Sequence, residues 1–286
     1  MIEKIPNQIF KWLGKETSCA ESPKKYADLR KYFPNDKYLN LKKIKKVLII
    51  GGGTCKSEQK ILNQFGITDI EITSCDFIKP KIYDRKLVKK LNWISKSISK
   101  KSKVPTKGKY DLIICLATSR YFEDPFKVLF NLKLLLNEKS LILFDFYYLP
   151  PIRRASVDFM YKWLIKEWAK NKNQTKKKLL SIAKISKHLG KHLSEKKINQ
   201  EISIPELGIY SGERDIQSIV YESFFPFWSR TGASTKEISF LLAWQFLSIS
   251  NDYDKNKISK FCDKKKLNII SLHEITNDTN LLICSN

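Results

Sequence analysis

The sequence predicts an α/β fold: a Rossmann-like parallel sheet laid down strand by strand between helices, closed by a terminal antiparallel hairpin and carrying a helical insertion. Three observations point to it. The apolar run Val47-Leu48-Ile49-Ile50 leads straight into Gly51-Gly52-Gly53. Further short apolar runs recur at 112–116 and 141–144, with helix-period segments between them. From 151 onward the pattern turns helical and lysine-rich, with no glycine until Gly190. Short apolar runs without alternation suit strands buried on both faces, and strands separated by helices imply parallel pairing.

Taken in order, residues 1–44 read as an N-terminal extension. It holds a short amphipathic piece (Ile9, Phe10, Trp12, Leu13), then polar and aromatic residues broken by Pro23 and Pro34. No chemistry is legible there. Residues 45–150 read as a ligand-binding α/β core. After the first strand and its glycine turn, 56–65 form a helix with Ile61, Leu62 and Phe65 on one side and Gly66 as its stop. A second strand at about 70–74 ends at Asp76, and 101–109 is a charged loop. Beyond the strand at 112–116, Asp124 offers an N-cap and Pro125 fits a first helical turn. Val128, Leu129, Leu132, Leu135 and Leu136 then make one apolar face. The run at 141–144 is the next strand.

Residues 151–234 read as a helical and aromatic cap, with Tyr221, Phe224, Phe225, Phe227, Trp228 and Arg230 clustered near its end. That cluster suits either core packing or an apolar substrate cavity. Residues 235–286 are expected to complete the core with a helix at about 235–248 and two strands joined by an Asn277-Asp278 turn.

The formal net charge is +24, which on its own suggests a polyanionic partner. The basic residues, however, are seven Arg against 46 Lys, whereas readers of bases and phosphates favour the planar Arg fork. A solvated lysine-rich surface is therefore preferred over a nucleic-acid site. The six cysteines form no C-x-x-C pair and read as buried free thiols of a reducing compartment. The N-terminus lacks the apolar run of a signal peptide, and no apolar run approaches the ~18 residues of a membrane span. The expected location is the cytoplasm. His188 and His192 stand four apart on a predicted helix, but lysines surround them and no third ligand accompanies them, so no metal site is expected. His273 reads as structural.

In open parallel sheets, ligands bind beyond the carboxyl ends of the strands where strand order reverses. The turn Gly51-Gly52-Gly53-Thr54-Cys55 lets backbone approach a ligand closely, and Asp76, at the end of the second strand, can accept from both hydroxyls of a ribose. The plainer alternative is a tight turn with a helix cap. A dinucleotide fingerprint needs a third glycine where Lys56 stands, which argues against a nicotinamide enzyme.

With those residues in place, VLIIGGGTC resembles the first motif of class I S-adenosylmethionine-dependent methyltransferases, a Rossmann-like family. Asp76 matches their ribose-binding acidic residue, and YDLIICLATSRYFEDP with its following helix matches their fourth motif. The resemblance covers about residues 45–150. It implies S-adenosylmethionine as cofactor, held by Gly51, Gly52, Gly53, Thr54, Cys55, Asp76, Ser97 and Leu116. The sequence departs from the family at Ile49, where an acidic residue is usual, and at Cys55, where the third glycine stands. Ser97 takes the adenine-contacting place, and Asn137-Glu138-Lys139-Ser140 replaces the usual turn before strand five. Arg120 and Tyr121 occupy the position of a histidine pair in many small-molecule members. VLIIGGG is also similar to the first motif of spermidine synthases, but Thr54 and Leu116-Ala117-Thr118 lack their acidic residues.

Methyl transfer from a sulfonium needs positioning more than fixed catalytic groups. Tyr121 and Asp145 are the catalytic candidates, with Arg120, Tyr147 and Tyr148 nearby; rim packing and helix capping are their alternative roles. The resemblance implies a methyltransferase acting on a small organic acceptor. An RNA or tRNA methyltransferase using the lysine-rich surface, and a binding module that kept the sheet but lost the cofactor, are the other readings.

Overall fold

A computed structural model describes residues 5–16, 28–33, 43–96, 98, 102–204, 207, 209–223, 233–249, 252–276 and 279–286. In chain order the elements are α1 (Ile5–Glu16), β1 (Lys46–Ile50), α2 (Lys56–Gln64), β2 (Ile70–Cys75), β3 (Val88–Ile94), β4 (Tyr110–Cys115), α3 (Pro125–Lys133) and β5 (Leu136–Tyr147). Then follow α4 (Pro151–Lys170), α5 (Lys172–Ser194), β6 (Lys197–Gln200), β7 (Gly212–Asp215), α6 (Ile216–Ser223), α7 (Thr235–Phe246), α8 (Lys255–Lys264), β8 (Asn268–Thr276) and β9 (Thr279–Ser285). The chain divides into two compact units: Met1–Thr17 with Leu149–Asp252, and Ser18–Tyr148 with Tyr253–Asn286.

The second unit holds a seven-stranded sheet of order β3-β2-β1-β4-β5-β9-β8. Strands β1 to β5 pair in parallel, and β9 runs antiparallel between β5 and β8. The first five positions follow the 3-2-1-4-5 order of a Rossmann-type sheet. The continuous apolar run of β1 has a simple cause. Val47 and Ile49 face one cluster with Ile61 and Leu62 of α2, while Leu48 and Ile50 face another with Val128, Leu129 and Leu132 of α3 and Ile258 and Cys262 of α8. Both faces are covered, so neither can be polar. On the second face Phe126 stacks on Phe261 with ring centroids 4.3 Å apart.

Helix α3 begins as the sequence suggests, with the Asp124 carboxylate accepting from the Lys127 N–H at 2.9 Å and Pro125 in the first turn. It stops earlier than the apolar spacing predicts. Lys109 Nζ donates to the Leu134 carbonyl at 2.8 Å, and the Tyr110 N–H takes that of Leu135. Leu136 thereby starts β5 opposite Tyr110. Strand β3 escapes an apolar-run reading because VKKLNWI is largely polar, as suits an exposed edge strand.

Among its described residues the other unit is mainly helical, with the small β6–β7 hairpin and an antiparallel bridge between Ile204 and Ile209. Trp12 of α1 packs between Trp168 of α4 at 5.2 Å and Phe240 of α7 at 5.5 Å. Helix α7 opens on a capping box: the Ser234 hydroxyl accepts from the Glu237 N–H at 3.2 Å and the Glu237 carboxylate from the Ser234 N–H at 2.7 Å. The sequence boundary at 235 therefore differs from the structural one at 252/253, because α7 groups with the helical unit rather than with the sheet. The aromatic residues Phe224, Phe225, Phe227 and Trp228, with Arg230, the Tyr221 side chain, the Asn277-Asp278 turn, Pro23, Pro34, Cys19 and Ser97 lie outside the described residues.

Candidate functional site

Strand order reverses between β1 and β4, since the chain builds β1, β2 and β3 outward and then returns to the other side of β1. A crevice for ligands is expected outside the carboxyl ends of these two strands. The glycine turn lies there. Gly51 takes φ +68°, and a Cβ on it would sit 2.2 Å from the Thr118 Oγ1. The β1 turn and the β4 exit are thus in direct contact. Gly53, at φ +57°, donates its N–H to Asp76 Oδ2 at 2.9 Å.

Asp76 is the hub of this end of the sheet. Its other carboxylate oxygen accepts from the Ile78 N–H at 2.8 Å, and its carbonyl accepts from Trp93 Nε1 at 3.0 Å. Burial pushes its pKa above the ordinary 3.8, against the backbone N–H bonds that favour the charged form. An ionised carboxylate offers about four lone-pair sites, so these N–H bonds leave it able to accept from a ligand hydroxyl. The Asp76 carboxylate itself bridges the space to Gly53.

The remaining sequence candidates fall into two groups. Thr54, Cys55 and Leu116 are buried, so their side chains belong to the core and only their backbone is left to meet anything bound there. Cys55 adopts the left-handed φ of +62° as N-cap of α2, and its Sγ lies 3.4 Å from the Ser74 hydroxyl. Burial raises its thiol pKa strongly, which makes it an inert core thiol rather than a nucleophile. Asp145 is fully buried within β5 and accepts from the Ala117 N–H at 2.8 Å, fixing a residue held at φ +59° just past β4. Tyr121 closes a short 3-10 turn, Ser119–Tyr121, its N–H bonded to the Thr118 carbonyl at 3.0 Å. The Arg120 guanidinium in the same turn lies 3.9 Å over the ring of Tyr147, and this pair caps the ends of β4 and β5.

Two residues of the site were not singled out from sequence. The Glu58 carboxylate is buried in the first turn of α2, its Cδ 3.3 Å from where a Cβ on Gly52 would be. Gln59 donates to the Lys81 carbonyl at 2.7 Å and accepts from the Tyr83 N–H at 2.9 Å, while the Thr54 carbonyl accepts from the Lys81 N–H at 3.0 Å. The segment after β2 is thereby stapled to the glycine turn. The available signal was positional, since an acidic residue in the first turn of a helix following a glycine turn opposes the positive end of the helix dipole.

Among the described residues no group of three or more His, Cys, Asp or Glu side chains could hold a metal ion, and no helix is long and apolar enough to cross a membrane. His188 and His192 pack edge to face at 4.8 Å on α5.

No protein-family model matches the sequence, and no curated protein is significantly similar to it. Solved structures resemble it at low identity. An O-methyltransferase family 2 protein from Planctomyces limnophilus, in complex with apigenin, matches at 10% identity and TM-score 0.41 over 92% of this chain and 56% of its own. An S-adenosylmethionine-dependent methyltransferase from Clostridium acetobutylicum matches at 13% and 0.42 over 98% and 96%. Human N-acetylserotonin methyltransferase matches at 9% and 0.43 over 100% of this chain and 57% of its own. The chain thus spans little more than half the length of the first and third. Its own strand order, rather than these likenesses, defines the fold.

Proposed function

We propose that this chain is an S-adenosylmethionine-dependent methyltransferase acting on a small organic acceptor. The observation that carries the reading is the Gly53–Asp76 contact at the strand-order reversal. A glycine turn with positive φ angles sits beside a half-buried carboxylate that retains acceptor capacity. The residues present fit the cofactor. In this reading Asp76 accepts from ribose hydroxyls, and Gly51, Gly52, Gly53, Thr54, Cys55 and Leu116 offer close backbone approach. Ser97 takes the adenine-contacting place by motif resemblance alone. When bound, the cofactor supplies a methyl group already activated by the positive charge of its sulfonium.

The chain's own part is orientation and exclusion of water. Asp145 acts as a positioning residue, holding the β4 exit through Ala117. Tyr121 stands on that exit as the group that would orient an acceptor, and the Arg120–Tyr147 pair stiffens the turn around it. The described cysteines are free and buried, which suits a reducing cytoplasmic setting.

Calorimetric titration with S-adenosylmethionine and S-adenosylhomocysteine tests the reading. Micromolar binding by the wild type, lost in Asp76→Ala, supports it. No binding by the folded wild type overturns it in favour of a module that kept the sheet without the cofactor.

A further inference from the structure

The positive charge of the helical unit is concentrated in one place. Helices α4 and α5, joined by the single residue Asn171, carry ten Lys and two Arg against one Asp and one Glu. Residues 195–252 reverse the balance, with eight Asp or Glu against five Lys or Arg. Arg153 is buried, Arg154 pairs with Asp252 at 3.0 Å, and Glu167 is held by Lys170 and Lys178. Within the helix pair, basic side chains thus far outnumber acidic ones, and of the acids outside it Glu237 of α7 lies near Lys187. Lys162 and Lys166 on α4, and Lys177, Lys184, Lys187 and Lys191 on α5, lie exposed.

Large apolar side chains stand in the open among these lysines. Phe159 is 69% exposed and Ile185 57%, and Leu180 and Leu189 are exposed on the same helix as Ile185. On α4 the outward row runs Ile152, Ala155, Phe159, Lys162, Lys166 at helical spacing, apolar first and then basic. On α5 the row Lys177, Leu180, Lys184, Lys187, Lys191 likewise holds an exposed aliphatic among its charges, with Ile185 and Leu189 exposed further round the helix, and a merely solvated face has no need of these apolar groups or of Phe159. A phosphate backbone alone would be served by the charges, and better by Arg than by Lys. Lysines flanking exposed Phe, Ile and Leu are what an anionic lipid surface selects. The ammonium groups meet the headgroups while the apolar side chains enter the acyl boundary and the lysine stems lie along it.

We propose that the α4–α5 face docks on an anionic lipid bilayer as a peripheral, non-spanning contact. This is independent of the proposed methyl transfer. The test is co-sedimentation of the full chain with phosphatidylcholine vesicles, with and without phosphatidylglycerol, at low salt and at about 0.5 M NaCl, beside bulk RNA retention under the same conditions. The expected result is pelleting with the anionic vesicles only. Replacing Lys184, Lys187 and Lys191 each by Glu lowers vesicle affinity by more than about tenfold. Phe159→Ser with Ile185→Ser lowers it about fivefold or more and leaves RNA retention unchanged. All five positions are exposed, and circular dichroism verifies the fold of each variant. Failure of the wild type to pellet, equal pelleting with phosphatidylcholine alone, or indifference of vesicle binding to the apolar pair overturns the proposal. The last outcome, with tight salt-sensitive RNA binding, assigns the face to nucleic acid instead.

Discussion

Gly51 is held by two separate constraints, and a substitution separates them. Its φ of +68° costs an L-residue about 1–2 kcal/mol, and the added Cβ would also meet Thr118 at 2.2–2.9 Å. Gly51→Ala should therefore destabilise by about 2–4 kcal/mol in urea unfolding. In the Thr118→Ala background the contacts with Oγ1 and Cγ2 are removed and only the Cβ contact at 2.9 Å and the φ cost persist, so the two changes should be non-additive by about 1 kcal/mol or more. Additivity would show that Thr118 does not hold the turn. The sequence signalled the glycines but not Thr118, because a contact between the exits of β1 and β4 exists only once the strand order is known. Cys55 is the converse case. The left-handed φ at that position accounts for the glycine expected there, and the buried thiol partly offsets the strain. Cys55→Gly should stay within about 1 kcal/mol of wild type, whereas the β-branched Cys55→Val should cost clearly more. For Asp76 the pH dependence has opposite signs for stability and binding. Burial raises its pKa above 3.8, so its contribution to stability is fully present below that value and is lost as pH rises through the folded pKa. Acceptance of a ribose hydroxyl needs the ionised form, so cofactor affinity should fall as pH drops through the raised value. Calorimetry across that window checks this, and a fall of the same shape in Asp76→Asn would sink it.

Helix ends and strand starts were readable wherever a local side chain fixes them. Asp124 and Pro125 mark a real helix start, because capping is a matter of a few adjacent residues, and Ser234, not singled out from sequence, caps α7 in the same local way. The elements hardest to read are those whose limits depend on distant partners. β5 begins at Leu136 through pairing with Tyr110, and β3 is a polar edge strand defined by its pairing with β2. The link between α4 and α5 combines both kinds of information. Asn171 caps α5 by accepting from the Gln174 N–H at 3.0 Å, while Glu167 near the end of α4 is gripped by Lys178 of α5 and by Lys170. Those two ammonium groups lower the Glu167 pKa from 4.5 to about 2. A depressed carboxylate contributes stability that is present above 4.5 and lost as pH falls toward the folded value. Glu167→Gln should thus lower the thermal midpoint at neutral pH, and the gap from wild type should close between pH 4.5 and about 2. A gap that persists at the acid end would mean the side chain acts through packing. At the start of α7, Ser234→Ala should cost about 1 kcal/mol, read by urea unfolding.

Charge was legible from composition, but its distribution was not. The chain carries 53 Lys and Arg against 29 Asp and Glu, and the described ion pairs outside the α4–α5 link are mostly exposed. Lys197–Glu213 at 2.6 Å and Lys255–Glu274 at 4.0 Å are exposed surface pairs, which contribute little to stability. Against them stands the self-repulsion of +24 charges, which grows as the compact state brings lysines together. Salt screens both, but with unequal effect. The attractive pairs are few and short-ranged, whereas the repulsion sums over many lysine pairs at separations comparable to the Debye length, which shrinks from about 30 Å at 0.01 M to about 8 Å at 0.15 M. Repulsion should therefore lose more, and the thermal midpoint should rise by several degrees as NaCl goes from about 0.01 to 0.2 M. Replacing sodium chloride by sodium sulfate at equal ionic strength separates screening from exclusion effects, since sulfate also strengthens apolar burial. A midpoint that falls with chloride would mean that the ion pairs outweigh the lysine repulsion, and the lysine-rich surface would then be a stabilising network rather than a reserve of uncompensated charge.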